Sequence, residues 1–150
     1  MELCPKPHLN VIIGPNGTGK STIMCGLALV LSNKTTVTGR GKEVSEYVKH
    51  GKEMAVIEVE IFRGQSRKGG NLVVRREFNK ANANQFYLQG QSVSFKEFAF
   101  KFFHSSQVDS NLKKLGIQVD NLCQFLPQDR VVEFAKMNSM QLLENTEKTV

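Results

Sequence analysis

The chain has no tryptophan, two tyrosines, four prolines and three cysteines, and each scarcity narrows what it can be. Cys4, Cys25 and Cys123 are odd in number, far apart and without metal-ligand spacing, which argues against a disulfide framework and for free thiols in a reducing compartment. Cys25 and Cys123 sit in apolar segments, as expected of buried structural thiols. His8, His50 and His104 are scattered singly and form neither a metal set nor a triad. The longest apolar stretch, Ile23 to Leu31, is far too short to span a bilayer and no signal peptide is legible, so a soluble intracellular protein with no membrane contact is expected. There is no internal repeat and no low-complexity linker. A chain of 150 residues suffices for one domain burying roughly 70% of its unfolded surface, so a core forms without staples. The net charge of +6 permits attraction to nucleic acid without establishing it.

What is present is concentrated in GPNGTGKST, at Gly14, Pro15, Asn16, Gly17, Thr18, Gly19, Lys20, Ser21 and Thr22. This is a complete phosphate-binding loop, placed after the apolar run Leu9, Val11, Ile12, Ile13 and before the helical run Ile23 to Leu31. Gly14, Gly17 and Gly19 admit positive φ and a close approach of bare backbone, so that successive N–H groups converge on phosphate oxygens. The helix opening near Lys20 adds its positive N-terminal end. Lys20 supplies an ammonium for the β- and γ-phosphates, and the Ser21 hydroxyl suits Mg²⁺. The loop therefore specifies a magnesium nucleoside triphosphate and leaves the reaction open.

Period and punctuation give the remaining elements. Leu9 to Ile13 reads as a short buried strand, followed after the loop by a helix apolar round most of its circumference and hence central. Val44, Tyr47 and Val48 fall at helical spacing, with Gly51 as the stop. Ala55 to Phe62 alternates, with Ile57, Val59 and Ile61 on one face and Glu58 and Glu60 on the other; Asn71 to Phe78 is a second such strand. FYLQGQSV is a third, turning at Gln89-Gly90. Ser94 and Glu97 form a capping box before Phe95, Phe98 and Phe102, which build core rather than base-stacking platforms. Gly116 closes another helical stretch, GIQVDNLCQFLPQ reads as a strand broken at Pro127, and Ser139 to Val150 as a helix. Arg63, Arg67 and Lys68 cluster in FRGQSRKGGN, which resembles a hairpin tip, and Arg75, Arg76 and Lys80 follow on the returning strand. A solvated turn and a contact to a phosphate backbone fit this cluster equally.

Hydrolysis of a triphosphate normally needs an acid at the end of a second buried strand. Asp120 and Glu58 are the candidates, and neither fits: Gln118 interrupts the first run, and the second belongs to a half-exposed strand. A small-molecule kinase would also need a lid with arginines and an acceptor pocket, which are not evident. The chain reads as part of a site whose remainder lies elsewhere.

The loop, with Asn16 before Gly17, resembles that of ABC-type ATPases and more specifically the heads of structural maintenance of chromosomes (SMC) proteins. TGRGKEVSEYVKHG resembles the segment after their first helix, which holds a loop arginine, here Arg40. NLCQFLPQDRVVEFAKM resembles their Q-loop region, with Gln128 in the place of the glutamine that binds Mg²⁺ and senses the γ-phosphate. The resemblance covers nearly the whole chain and implies an α/β P-loop fold with a mixed β-sheet and flanking helices: the N-terminal lobe of an ABC/SMC-type head, residues 1–150, incomplete without its C-terminal half. It implies ATP and Mg²⁺ as ligands, with Arg40 at the nucleotide or at DNA. The signature motif, Walker B acid and catalytic glutamate belong in the family to the C-terminal half beyond a long coiled coil, so no catalytic residue is expected here. Met1 starts too late to include the strand that precedes Leu9 in the family. Implied partners are that C-terminal half, a second SMC subunit in a heterodimer, non-SMC subunits and DNA; the implied setting is the chromosome in the nucleus, in repair and recombination. The rivals are a RecN-like double-strand-break repair ATPase, a self-contained kinase using Asp120, and a nucleotide-dependent binding module.

Overall fold

The alternation of β-branched and polar residues between Met54 and Val93 builds a four-stranded antiparallel sheet. Its strands are β1 (Met54–Ile61), β2 (Leu72–Asn79), β3 (Asn84–Leu88) and β4 (Gln91–Val93), in that spatial order. This is a computed structural model, and it describes residues 1–32, 34–62, 70–100 and 117–149. Among the described residues the sheet is antiparallel throughout. Register pairs Val59 with Val74 and Arg76 with Phe86, which aligns one apolar face across three strands. As the alternation predicts, Ile57, Val59 and Ile61 turn inward on β1 while Glu58 and Glu60 are exposed. The tight turn at Gln89-Gly90 has positive φ at both residues (51° and 78°), the geometry that matches the twist of a hairpin.

Helix α1 (Lys20–Leu31) lies across the inner face of the sheet. Its last turn, Ala28 to Leu31, is buried and serves two clusters: Ala28, Val30 and Leu31 meet Val74, Phe86 and Phe98, while Leu29 meets Val44, Val48 and Phe78. Helix α2 (Phe95–Ala99) opens with the predicted reciprocal cap. Ser94 Oγ accepts from Glu97 N–H at 3.2 Å, and the Glu97 carboxylate accepts from Ser94 N–H at 2.8 Å. Phe86, Phe95 and Phe98 then pack with ring centres 5.2 to 5.9 Å apart, as core. The Val44–Tyr47 segment is a 3₁₀ turn, and Gly51 has φ 77° where a stop was expected. Two short helices, α3 (Val131–Ala135) and α4 (Ser139–Glu147), complete the described chain.

Three expectations are corrected. The Leu9 to Ile13 segment joins no ladder among the described residues, and its side chains are exposed (Leu9 87%, Ile13 89%). An apolar run shows that a strand would be buried on both faces, but it does not supply the neighbouring strands. Residues 117–127 fold as turns rather than a strand. The Asn121 side chain accepts from Cys123 N–H at 3.0 Å and donates to Asn145 O at 2.9 Å, while Asn121 O accepts from Gln124 and Phe125 N–H. Asn121 thereby satisfies the backbone locally in place of a ladder. The third correction concerns Arg76, read with Arg75 and Lys80 as following the basic cluster on the returning strand. It occupies the inner face of β2 between Val74 and Phe78 and is 1% exposed.

Arg76 caps the C-terminus of α1. Its Nη1 donates to Leu29 O at 2.6 Å and Ser32 O at 3.1 Å, and its Cζ lies 4.7 Å from the Phe86 ring centre. A helix end concentrates negative partial charge on such carbonyls, and a guanidinium is weakly hydrated enough to be buried against them. Burial lowers its pKa to about 10, which leaves it charged at neutral pH. Arg75 and Lys80 are committed too, to Glu77 at 2.5 Å and Glu53 at 2.9 Å. Arg63, Arg67, Lys68, Phe102, His104 and Gly116 lie outside the described residues.

Candidate functional site

The phosphate-binding loop leads directly into α1. Gly17 (φ 83°) and Gly19 (φ 94°) take the left-handed conformation, whereas Gly14 does not. Its reason for being glycine is contact: a Cβ there would stand 2.9 Å from Thr18 Oγ1, whose hydroxyl donates to Pro15 O. Gly19 is the N-cap of α1, and no side chain caps the helix, so its first-turn N–H groups face the loop. Lys20 Nζ bends back to donate to Gly14 O and, at 2.7 Å, to Pro15 O. These are neutral acceptors, which a phosphate oxygen outcompetes as a partner for an ammonium.

A cleft of about 290 Å³ opens beside this loop. Its lining includes Lys20, Ser21, Arg40, Gln128 and Asp129, so three segments distant in sequence meet at one place. Their convergence is built locally. Residues Thr35–Thr38 form a 3₁₀ turn that ends at Gly39 (φ 72°). Tyr47 braces the segment around Arg40: its hydroxyl is hydrogen-bonded to Thr38 Oγ1 and accepts from Gly41 N–H at 2.7 Å, while Arg40 N–H donates to Thr38 Oγ1 at 3.2 Å. The Arg40 backbone is thus held on both sides, and its side chain projects to the cleft. Opposite it, Pro127 N-caps a 3₁₀ turn at Gln128–Arg130 that continues into α3. Arg40 Nε donates to Asp129 Oδ2 at 2.7 Å, and this bond holds the guanidinium above its ordinary pKa.

The alternatives weighed from sequence separate here. The Gln124 amide oxygen accepts from Gln118 N–H at 2.7 Å, and Gln124 does not line the cleft. Asp120 and Glu58 do not line it either, which leaves a kinase built on Asp120 without its acid at the phosphates. Cys25 lies at the cleft wall with burial raising its pKa, so it remains a protonated thiol and not a nucleophile. Among the described residues no group of three or more His, Cys, Asp or Glu could hold a metal. Ser21 and Gln128 offer a hydroxyl and an amide oxygen, hard neutral ligands that suit a Mg²⁺ retaining several waters and bound chiefly through phosphate. What sequence reasoning missed is Asp129: it stands beside Gln128, but its tie to Arg40 spans 89 positions and no local pattern announces it.

Residues 2–150 match the AAA domain family. The chain belongs to that family. It is 40% identical over 146 residues to structural maintenance of chromosomes protein 5 of Arabidopsis thaliana, covering 97% of this chain and 13% of that protein. To the protein of the same name in Schizosaccharomyces pombe it is 36% identical over 149 residues, covering 99% of this chain and 13% of that one. The chain therefore spans about an eighth of the length of these relatives. Among solved structures it superposes with a TM-score of 0.63 and 16% identity on a chain from work on ATP-driven dimerization and DNA-stimulated activation of SMC ATPases, covering 95% of this chain and 84% of that one. The resemblance to the N-terminal portion of SMC heads read from the sequence is borne out.

Proposed function

We propose that the chain is the ATP-binding half of an SMC-type head of the protein 5 kind, which couples head engagement and ATP hydrolysis to the holding of DNA during repair and recombination. The observation that carries this reading is the cleft in which Lys20, Ser21, Arg40 and Gln128 meet. Lys20 and the amides of Gly17 to Thr22 grip the phosphates, Ser21 and Gln128 hold Mg²⁺, and Arg40 faces the terminal phosphate. Mg²⁺ held there would neutralise charge on the phosphates. Hydrolysis requires a carboxylate to orient water, and the carboxylate lining the cleft, Asp129, is engaged by Arg40. The catalytic glutamate is accordingly assigned to the C-terminal half of the head. Its partners on this reading are a second SMC subunit of the protein 6 type, non-SMC subunits and DNA, on nuclear chromosomes. The identities of 40% and 36% to SMC protein 5 favour it over a RecN-like ATPase.

Gln128→Ala in the full-length protein is expected to leave Mg-ATP binding within about twofold while lowering hydrolysis by about tenfold or more, because one metal ligand is lost at the step where charge develops. Single-turnover assays check this, and normal hydrolysis would refute the role of Gln128. DNA contact by the Arg63, Arg67 and Lys68 segment is tested by salt dependence. Replacing all three with alanine should reduce the slope of log affinity against log salt by about 2.7 for duplex DNA. An unchanged slope removes the segment from the interface.

A further inference from the structure

The Arg40–Asp129 pair joins the two segments that approach the cleft from opposite sides. Asp129 is the immediate neighbour of Gln128, on the same 3₁₀ turn. Close approach is a built feature: Gly39 has φ 72°, and a Cβ on it would stand 3.1 Å from Asp129 Cβ. Both charged side chains are nevertheless 43% exposed, and the bond is made through Nε alone, leaving the terminal nitrogens of Arg40 uncommitted to Asp129. A pair of this kind holds its partners by no more than about fivefold and yields to a stronger anion. A triphosphate in the same cleft is such an anion, and its several charged oxygens suit the planar guanidinium fork.

We propose that Asp129 is a positioning residue that holds Arg40 at the rim of the cleft in the nucleotide-free head and surrenders it to the triphosphate. This rests on the nucleotide-binding reading above. Two adjacent residues then sense the nucleotide by different routes: Gln128 through the metal, and Asp129 through the loss of Arg40. When Arg40 turns to phosphate, the Thr35–Thr38 segment and the Gln128–Arg130 turn lose their charged tie. That turn runs directly into α3, so nucleotide entry alters how the start of α3 is held.

The test is a double-mutant cycle on the full-length protein assembled with its partners, using the slowly hydrolysed analogue ATPγS with Mg²⁺. Asp129→Asn should tighten binding by up to about fivefold, since Arg40 no longer has to be taken from a carboxylate. In an Arg40→Gln background the same change should have no effect. Phenylglyoxal labelling of Arg40, followed by mass spectrometry without nucleotide, should rise in Asp129→Asn; ATPγS should suppress it in the unaltered protein. Weaker binding by Asp129→Asn would overturn the proposal in favour of a structural or metal-side role. Equal tightening without Arg40 would overturn it in favour of simple repulsion between Asp129 and phosphate. Unchanged Arg40 labelling in Asp129→Asn would overturn the tie itself. If the unaltered protein binds no ATPγS, the nucleotide reading falls and this one with it; if it binds and the cycle shows no coupling, only this one falls.

Discussion

Lys20→Ala is expected to weaken binding of Mg-ATP by at least about 100-fold while leaving the fold intact. The magnitude comes from losing charge-assisted bonds to two phosphates, each contributing roughly 1.5–3 kcal/mol. The specificity comes from the structure, where the Lys20 ammonium bonds to Gly14 O and Pro15 O and to no part of the core. Those carbonyls lie in an exposed loop and are re-solvated when the side chain is removed. Titration with a fluorescent ATP analogue measures the effect, and circular dichroism confirms the fold. An affinity within a few-fold of the unaltered protein would show that the loop does not hold the triphosphate, and the site would have to be withdrawn.

Arg76→Ala is expected to have the largest effect on stability. The substitution opens a cavity beside Phe86, and it strips partners from Leu29 O and Ser32 O at the buried end of α1. Large-to-small changes in a packed core cost roughly 2–5 kcal/mol, and carbonyls left buried without partners add to that. Arg76→Met should be milder, because it keeps the volume and removes a charge whose desolvation is itself unfavourable; Arg76 Nε already has no partner. Amide hydrogen exchange of α1 and β2 is the readout, with opening faster by about 100-fold in the alanine variant. Equal exchange in all three proteins would mean that Arg76 does not anchor the helix. Because α1 carries the phosphate-binding loop at its other end, the alanine variant should also bind Mg-ATP less well, in proportion to its loss of local stability.

Local features were legible because their physics is local. GPNGTGKST needs only its own glycines to lead into a helix at Lys20, and Ser94 with Glu97 needs only one turn of helix; the helix start, the left-handed Gly17 and Gly19 and the cap formed as read, while Gly14 is glycine for contact with Thr18 instead. The alternation of β1 and β2 likewise gave their faces, and Gln89-Gly90 gave the turn. The failures share a cause. Leu9 to Ile13 has the composition of a buried strand, but composition names no neighbour, and burial is a property of the pair. Arg76 falls on the Leu72, Val74, Phe78 face by simple alternation, but a charge is buried only against compensating partners, and those carbonyls come from Leu29 and Ser32, more than forty positions away. In residues 117–127 the β-branched and apolar side chains suggested a strand, while Asp120-Asn121 carried the turn signal that prevailed. At the site, Lys20, Ser21, Arg40 and Gln128 were each proposed from sequence, and the structure brings them to one cleft. Asp129 was not, since its role depends on a contact with Arg40 that only the folded chain creates.

The most direct test of the account is a structure of the full-length head with Mg²⁺ and a non-hydrolysable ATP analogue. The account predicts the triphosphate in the cleft beside Gly14 to Thr22, with Lys20 Nζ moved from Gly14 O and Pro15 O to phosphate oxygens, and Ser21 Oγ and the Gln128 amide oxygen on the metal. A nucleotide bound elsewhere, or bound here with Lys20 still on the loop carbonyls and Gln128 remote from the metal, would contradict it.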